Sequence, residues 1–208
     1  INFLAFFGWN PGENKEIMTT EEIIASFDIK KIHKSGAMFN EEKLLWLNKE
    51  HIKMLPLHEN RKAIAPYFTS YAPEIFERLL PTIIDRISTY GELTQIEKQE
   101  FQFFAKKPVY SKDSIARITW KDSTLDDAKI HLQKVSTILS TTEFSSAESI
   151  KESIMPYAQE VGKGNVLWPL RMSLSGQEKS VDPFTICYVL GKEEVLSRIN
   201  EICSIIDS

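Results

Sequence analysis

One segment concentrates the side chains that could do chemistry. From Asn165 to Phe184 the chain reads NVLWPLRMSLSGQEKSVDPF, with Arg171 two residues after Pro169 in an apolar run of helical character. A polar loop follows and closes on Asp182-Pro183. A guanidinium presents its donors in a rigid planar fork and stays charged at any relevant pH, so it suits planar acceptors. The plain alternative is a surface arginine paired with a helix end. Two further groups of cations occur. Lys30, Lys31 and Lys34 continue into Lys43, Lys49 and Lys53, and Lys106, Lys107, Lys112, Arg117 and Lys121 form the second group. On composition alone both are solvated helix faces.

Other reactive residue types do not assemble into a centre. His33, His51, His58 and His131 never fall at metal-ligand spacing with another ligand type, so no zinc site is expected. Cys187 and Cys203 lie in apolar periodic segments and read as core thiols in a reducing cytoplasm. The neighbouring acids Asp126-Asp127 and Glu193-Glu194 diverge on a helix and face solvent. There is no Walker loop, no H-E-x-x-H and no nucleophile elbow. No catalytic residue, metal or cofactor is therefore assigned to this stretch of chain.

The 208 residues suffice for one large domain or two small ones, and 42% hydrophobic with 26% charged is an ordinary soluble composition. No apolar run is long enough to span a bilayer. INFLAFFGWNPG lacks the basic flank and small-residue cleavage site of a signal peptide. The start at Ile1 without methionine suggests a piece of something longer. A net charge of −4 argues, on the simplest rule, against a nucleic-acid binder.

The elements that must position these residues are helices. Thr19 and Glu22 form a capping box before IIASF, and Asn40 caps a helix through EEKLLWLNKEHIKML. Between Tyr71 and Ile87, the residues Ile75, Leu79, Ile83 and Ile87 share one face, with Pro81 kinking or restarting the helix. Ser123 is expected to cap a helix that turns Ala128, Leu132, Val135 and Leu139 inward. Ser145 with Glu148 is expected to open the next helix, which Gly162 ends. Asp182-Pro183 suits the start of FTICYVL, stopped by Gly191, and a last helix buries Val195, Ile199 and Ile202. Trp46 and Trp168, at helical spacing among leucines, are read as core. The fold class expected is all-α, a helical bundle in two halves that meet near residues 105–112.

Three stretches together resemble the C-terminal half of bacterial-type glutamyl-tRNA synthetase. They are NFLAFFGWNPG with HKSGAMFNEEKLLWLN, then DRISTYGEL, then the Asn165–Phe184 segment. The family patterns are an H-K-S/G-x-x-F-x-x-x-K-L-x-W-x-N helix, an R-x-x-T-L-x-E-L element, and P-L-R-x-x-L-S/T-G followed by P-x-P-F. The likeness covers essentially the whole chain. The family's H-I-G-H-type and K-M-S-K-S-type ATP motifs lie upstream of such a segment and are absent here. The resemblance therefore implies the tRNA-binding part of a glutamate–tRNA ligase, inactive alone, with ATP and Mg used by the full-length enzyme.

The same resemblance implies roles for particular residues. Arg171 would meet the first anticodon base, and Ser180 the first two, through its hydroxyl and nearby backbone. Val181 takes a position that is commonly proline and would offer an apolar edge. Arg86 would inspect the third base, where cytosine offers acceptors and guanine turns donors toward a cation. Lys30, Lys31, Lys34 and Lys43 would touch phosphates of the stem. Residues 1–54 would form the stem-contact portion, with 55–108 and 109–208 as two helical anticodon-binding subdomains. Partners implied are tRNA-Glu, with tRNA-Gln left open, for a cytoplasmic monomer that binds neither DNA nor membrane. A helical protein adaptor and a non-specific RNA binder are the competing classes.

Overall fold

The computed structural model describes residues 1–12, 15–32 and 38–207. Helices α1 (Asn2–Ala5), α2 (Thr20–Ser26), α3 (Glu41–Met54), α4 (Leu57–Ile64) and α5 (Pro73–Arg86) make up the first part of the chain. They are followed by α6 (Leu93–Ile96), α7 (Gln102–Ala105), α8 (Lys112–Ala116), α9 (Leu125–Thr141) and α10 (Ala147–Val161). The last three are α11 (Lys163–Ser175), α12 (Pro183–Leu190) and α13 (Lys192–Ile206). Among the described residues there is no strand beyond one isolated bridge between Trp9 and Ile32. The fold is all-helical, as the periodicity predicts.

Local chemistry sets most of the boundaries. The Glu22 amide donates to Thr19 Oγ1 at 3.2 Å while Glu22 Oε2 accepts from the Thr19 amide at 3.0 Å, so the capping box forms. Asn40 Oδ1 accepts from the Lys43 amide at 2.9 Å. Asp182 Oδ1 accepts from the amides of Phe184 and Thr185, Pro183 occupies the first helical position, and Gly191 at φ 80° ends α12. Pro81 stays inside a single α5.

Two caps sit one residue later than the sequence suggests. Thr124, not Ser123, caps α9 in a reciprocal box with Asp127; Ser123 Oγ instead accepts from the Trp120 amide and closes the turn before it. Ser146, not Ser145, caps α10, and its partner is Ser149, while Glu148 pairs with Lys151 at 3.0 Å. In both cases the cap is the residue whose backbone stays extended, and neighbouring hydroxyls compete for that place.

Between α6 and α7 the residues Glu97–Phe101 form a π turn. Such turns place one extra residue in the helix and free a carbonyl from the regular ladder.

The chain divides into two compact units, residues 1–69 with 80–94, and residues 70–79 with 95–208. In the first, Trp9, Met18 and Ile23 form a cluster against Ala5 and Phe6. Asn60 is buried and fully used: Nδ2 donates to the Ile52 carbonyl at 2.8 Å, and Oδ1 accepts from Tyr90 Oη at 2.6 Å. On α3 it is Leu47 and Ile52 that face inward; Trp46 is 41% exposed. The core reading of Trp46 is thus overturned, because one residue of offset rotates a side chain by about 100° around the helix.

In the second unit α9 packs on α13 and α11, and α12 packs on α10 and α11. Leu132, Val135, Leu139, Ile150, Ile154, Val195, Ile199 and Ile202 are buried, as expected from their spacing. Helix α11 meets α7, α9, α10, α12 and α13, and its last seven residues are all buried except Arg171. It is a fixed central rod. Cys187 and Cys203 are buried free thiols, and burial pushes the Cys187 thiol well above its ordinary range.

Candidate nucleic-acid interface

The rod α11 explains how one arginine can be held near solvent inside an apolar segment. Pro169 lies within the helix, buried, and lacks the N–H that would bond back to Asn165. Two residues on, Arg171 is half-buried, and its Nη1 reaches the Glu178 carbonyl at 3.4 Å. Gly176 then leaves the helix at φ 67°, a left-handed conformation suited to glycine, and its N–H donates to the Met172 carbonyl at 2.9 Å. Ser175 Oγ donates to the Arg171 carbonyl at 2.8 Å and accepts from the Gln177 amide at 3.1 Å.

The loop from Gln177 to Val181 is tied from both sides. Arg117 pairs with the Glu178 carboxylate at 3.3 Å while Arg171 holds the carbonyl of the same residue. Ser180 is half-buried and its hydroxyl donates to the Val181 carbonyl at 2.9 Å. Val181 is only 3% exposed, so the residue belongs to the core and does not offer the apolar edge expected of it. Arg171 thus reaches from α11 to the loop that contains Ser180 and Val181.

Two residues absent from the sequence reading hold this end of α11 in place. Arg198 is 2% exposed; its Nε donates to Glu194 Oε1 at 2.7 Å and its Nη1 to the Leu174 carbonyl at 2.5 Å. Tyr110 Oη donates to the Ser173 carbonyl, and burial pushes its phenol well above the ordinary value. Both satisfy carbonyls that a helix end leaves without an internal partner. The only sequence signal was Glu194 and Arg198 at i, i+4, a spacing that ordinarily marks a solvent-exposed pair.

At the start of α11 lies a pair of indoles. Trp168 is half-buried, donates from Nε1 to the Arg117 carbonyl at 2.9 Å, and lies 5.4 Å from Trp120, centroid to centroid. Trp168 is accordingly less enclosed than its spacing predicts. Trp120 approaches so closely that a Cβ on Gly164 would sit 2.1 Å from its Nε1. Lys121, at φ 52°, places Nζ 5.6 Å from the Trp120 ring centre. Gly164→Ala should therefore drive Trp120 off the helix, at a cost of about 1–3 kcal/mol. A lowered melting temperature with red-shifted tryptophan emission checks it; an unchanged spectrum would show that the ring was never seated there.

The remaining candidates belong to the first unit. Arg86 is exposed in the last turn of α5, where a cation is favoured by the helix dipole. Its neighbour Asp85 pairs with Lys53 at 3.0 Å, and that ammonium holds the Asp85 carboxyl below its usual range. Glu92 accepts from the Thr89 amide at 2.7 Å and from Thr89 Oγ1 at 3.0 Å. Asp85 and Glu92, the acids nearest Arg86 in the sequence, are thus tied to Lys53 and Thr89. Lys30 and Lys31 lie on a short 3-10 turn capped by Asp28; Lys31 Nζ donates to the Pro11 carbonyl at 2.5 Å. Lys43 pairs with Glu16 at 2.7 Å. Lys34 lies outside the described residues.

Comparisons with known proteins point to one family. A family model described as "Anticodon binding domain" matches residues 57–203. A glutamate–tRNA ligase of Clostridium tetani is 35% identical over 202 residues, covering 96% of this chain and 41% of that protein. Its counterpart in Bacteroides thetaiotaomicron is 32% identical over 212 residues, covering 99% and 40%. The crystal structure of a glutamate tRNA ligase from Elizabethkingia meningosepticum, in complex with its amino acid, superposes with a TM-score of 0.69 at 28% identity. That likeness covers 99% of this chain and 40% of the other. The chain spans about two-fifths of the length of the curated relatives it matches.

Proposed function

Because the chain belongs to the anticodon binding domain family, we propose that it inspects the anticodon of tRNA-Glu as part of a glutamate–tRNA ligase. The observation that carries this is Arg171, held half-buried on a rod that five helices enclose, at the head of a polar loop. An unstacked base exposes its pairing edge, which such a fork can address. In this reading Arg171 meets the first anticodon base, Ser180 the first two, and Arg86 the third, while the enclosed Val181 anchors the loop. Lys30, Lys31, Lys34 and Lys43 face the phosphates of the stem, on residues 1–54, and the helical segments 55–108 and 109–208 read the anticodon. Recognition of a single-stranded loop by a few side chains is compatible with the net charge of −4.

Among the described residues no cluster of His, Cys, Asp and Glu could hold a metal ion. ATP and Mg are therefore assigned to regions of a longer ligase, and no step through them is derived from these side chains. Among the described residues no helix is long and apolar enough to cross a membrane; the reading places the protein in the cytoplasm, as a monomer.

Filter binding of the chain to tRNA-Glu transcripts tests the proposal. The natural anticodon should bind best, and changes at the first and third bases should each weaken binding. Equal binding to every transcript would support a non-specific RNA binder, and no binding a protein adaptor. Arg86→Gln should narrow the preference for C over G at the third base, by about 1–3 kcal/mol at most. The ratio of charging efficiencies for the two transcripts in the full-length ligase measures this, and an unchanged ratio removes Arg86 from the reading.

A further inference from the structure

Glu178 stands between two guanidiniums. Its carbonyl accepts from Arg171 Nη1 at 3.4 Å, and its carboxylate pairs with Arg117 Nη1 at 3.3 Å. The carboxylate is the hazard in this arrangement. A planar fork that suits the acceptors of a base edge suits a carboxylate at least as well, and charge attraction is added to the hydrogen bonds. The carbonyl of Glu178 already lies against Arg171, so rotation about the flexible side-chain stem would bring its carboxylate to the same guanidinium. Arg171 is half-buried, and a pair formed there is screened less than one in open water.

Arg117 offers that carboxylate another place. The residue follows directly on α8 as its C-cap. Its carbonyl accepts from Trp168 Nε1 at 2.9 Å, which fixes its backbone against α11. Its Nε donates to the Asp113 carbonyl at 3.3 Å, which steadies the guanidinium and leaves Nη1 for Glu178. The two side chains of the pair are 57% and 51% exposed, so the ion pair contributes little to stability. Its effect is on where one negative charge points.

We propose that Arg117 is a positioning residue, which draws the Glu178 carboxylate aside and leaves the fork of Arg171 open to a base. The Glu178 carbonyl stays on Arg171 while the charge of the same residue is held on Arg117. This rests on Arg171 meeting the first anticodon base, as proposed above, and accounts for an acid being tolerated in that loop.

The test is filter binding of the 208-residue chain to two tRNA-Glu transcripts, one natural and one altered at the first anticodon base. Arg117→Ala should lower the preference for the natural transcript about two- to fivefold, the scale of one exposed ion pair redirected onto Arg171. Adding Glu178→Gln to that variant should restore the preference, because glutamine keeps the length and the backbone but carries no charge. Glu178→Gln alone should leave the preference at or above that of the unaltered chain. If Arg117→Ala weakens both transcripts equally, Arg117 is a phosphate contact and the proposal is overturned. It is also overturned if Glu178→Gln alone lowers the preference, or fails to restore it in the double variant, since the pair would then be a plain loop tie. In either case an Arg171→Ala variant that still loses the preference would leave the anticodon reading standing. An unaltered chain without preference at the first base would overturn both.

Discussion

Arg198→Ala should lower the unfolding free energy by about 3–5 kcal/mol, the cost of breaking a buried charged pair from one side. Arg198 is almost fully enclosed, and it serves two acceptors from different helices. Truncation leaves the Leu174 carbonyl without its partner at the end of α11 and opens a cavity where the alkyl stem packed. Glu194 is better placed to recover, since its side chain is partly exposed and water can reach it. Arg198→Met keeps the stem and loses the bonds, so its cost should fall between zero and that of alanine. Urea denaturation followed by circular dichroism measures both. A loss below about 1 kcal/mol for alanine would class the pair with ordinary surface ion pairs.

Arg171→Ala should cost binding to the natural anticodon about 1–3 kcal/mol, the range for a good two-donor contact to one base. Against a transcript already altered at the first anticodon base the same change should do almost nothing. The tie between Arg171 and the Glu178 carbonyl complicates a single measurement, because alanine also loosens the loop. Arg171→Lys separates the two effects. It retains the charge but loses the fork, so general attraction to RNA should survive while preference at the first base falls. Filter binding of both variants to both transcripts completes the cycle. Equal losses on the two transcripts would remove Arg171 from base recognition and leave it as a loop tie.

The helices and their inward faces were legible in the sequence, because burial repeats every three to four residues and overrides local detail. The faces of α9 and α13 and the cap at Asp182 show this. Choices between adjacent equivalents were not legible. Ser123 and Thr124, or Ser145 and Ser146, offer the same hydroxyl, and only the backbone path selects one. Trp46 and Leu47 differ by a single step around α3, too fine an angle for a pattern of leucines to fix. Arg198 was hidden for a different reason: a charge at i, i+4 from a glutamate looks the same whether it meets water or a carbonyl from another helix. At the candidate site, family likeness singled out Arg171 and Ser180, but it could not tell that Val181 would turn inward.

The inward turn of Val181 sets a limit on redesign. On the proposed reading Arg171 and Ser180 touch bases, and such side chains can be exchanged for others. Position 181 is enclosed, so a library that varies it would sample folding defects in place of new specificities. Changing what that part of the loop accepts would require a different loop length or a different closing residue, so that the chain itself moves.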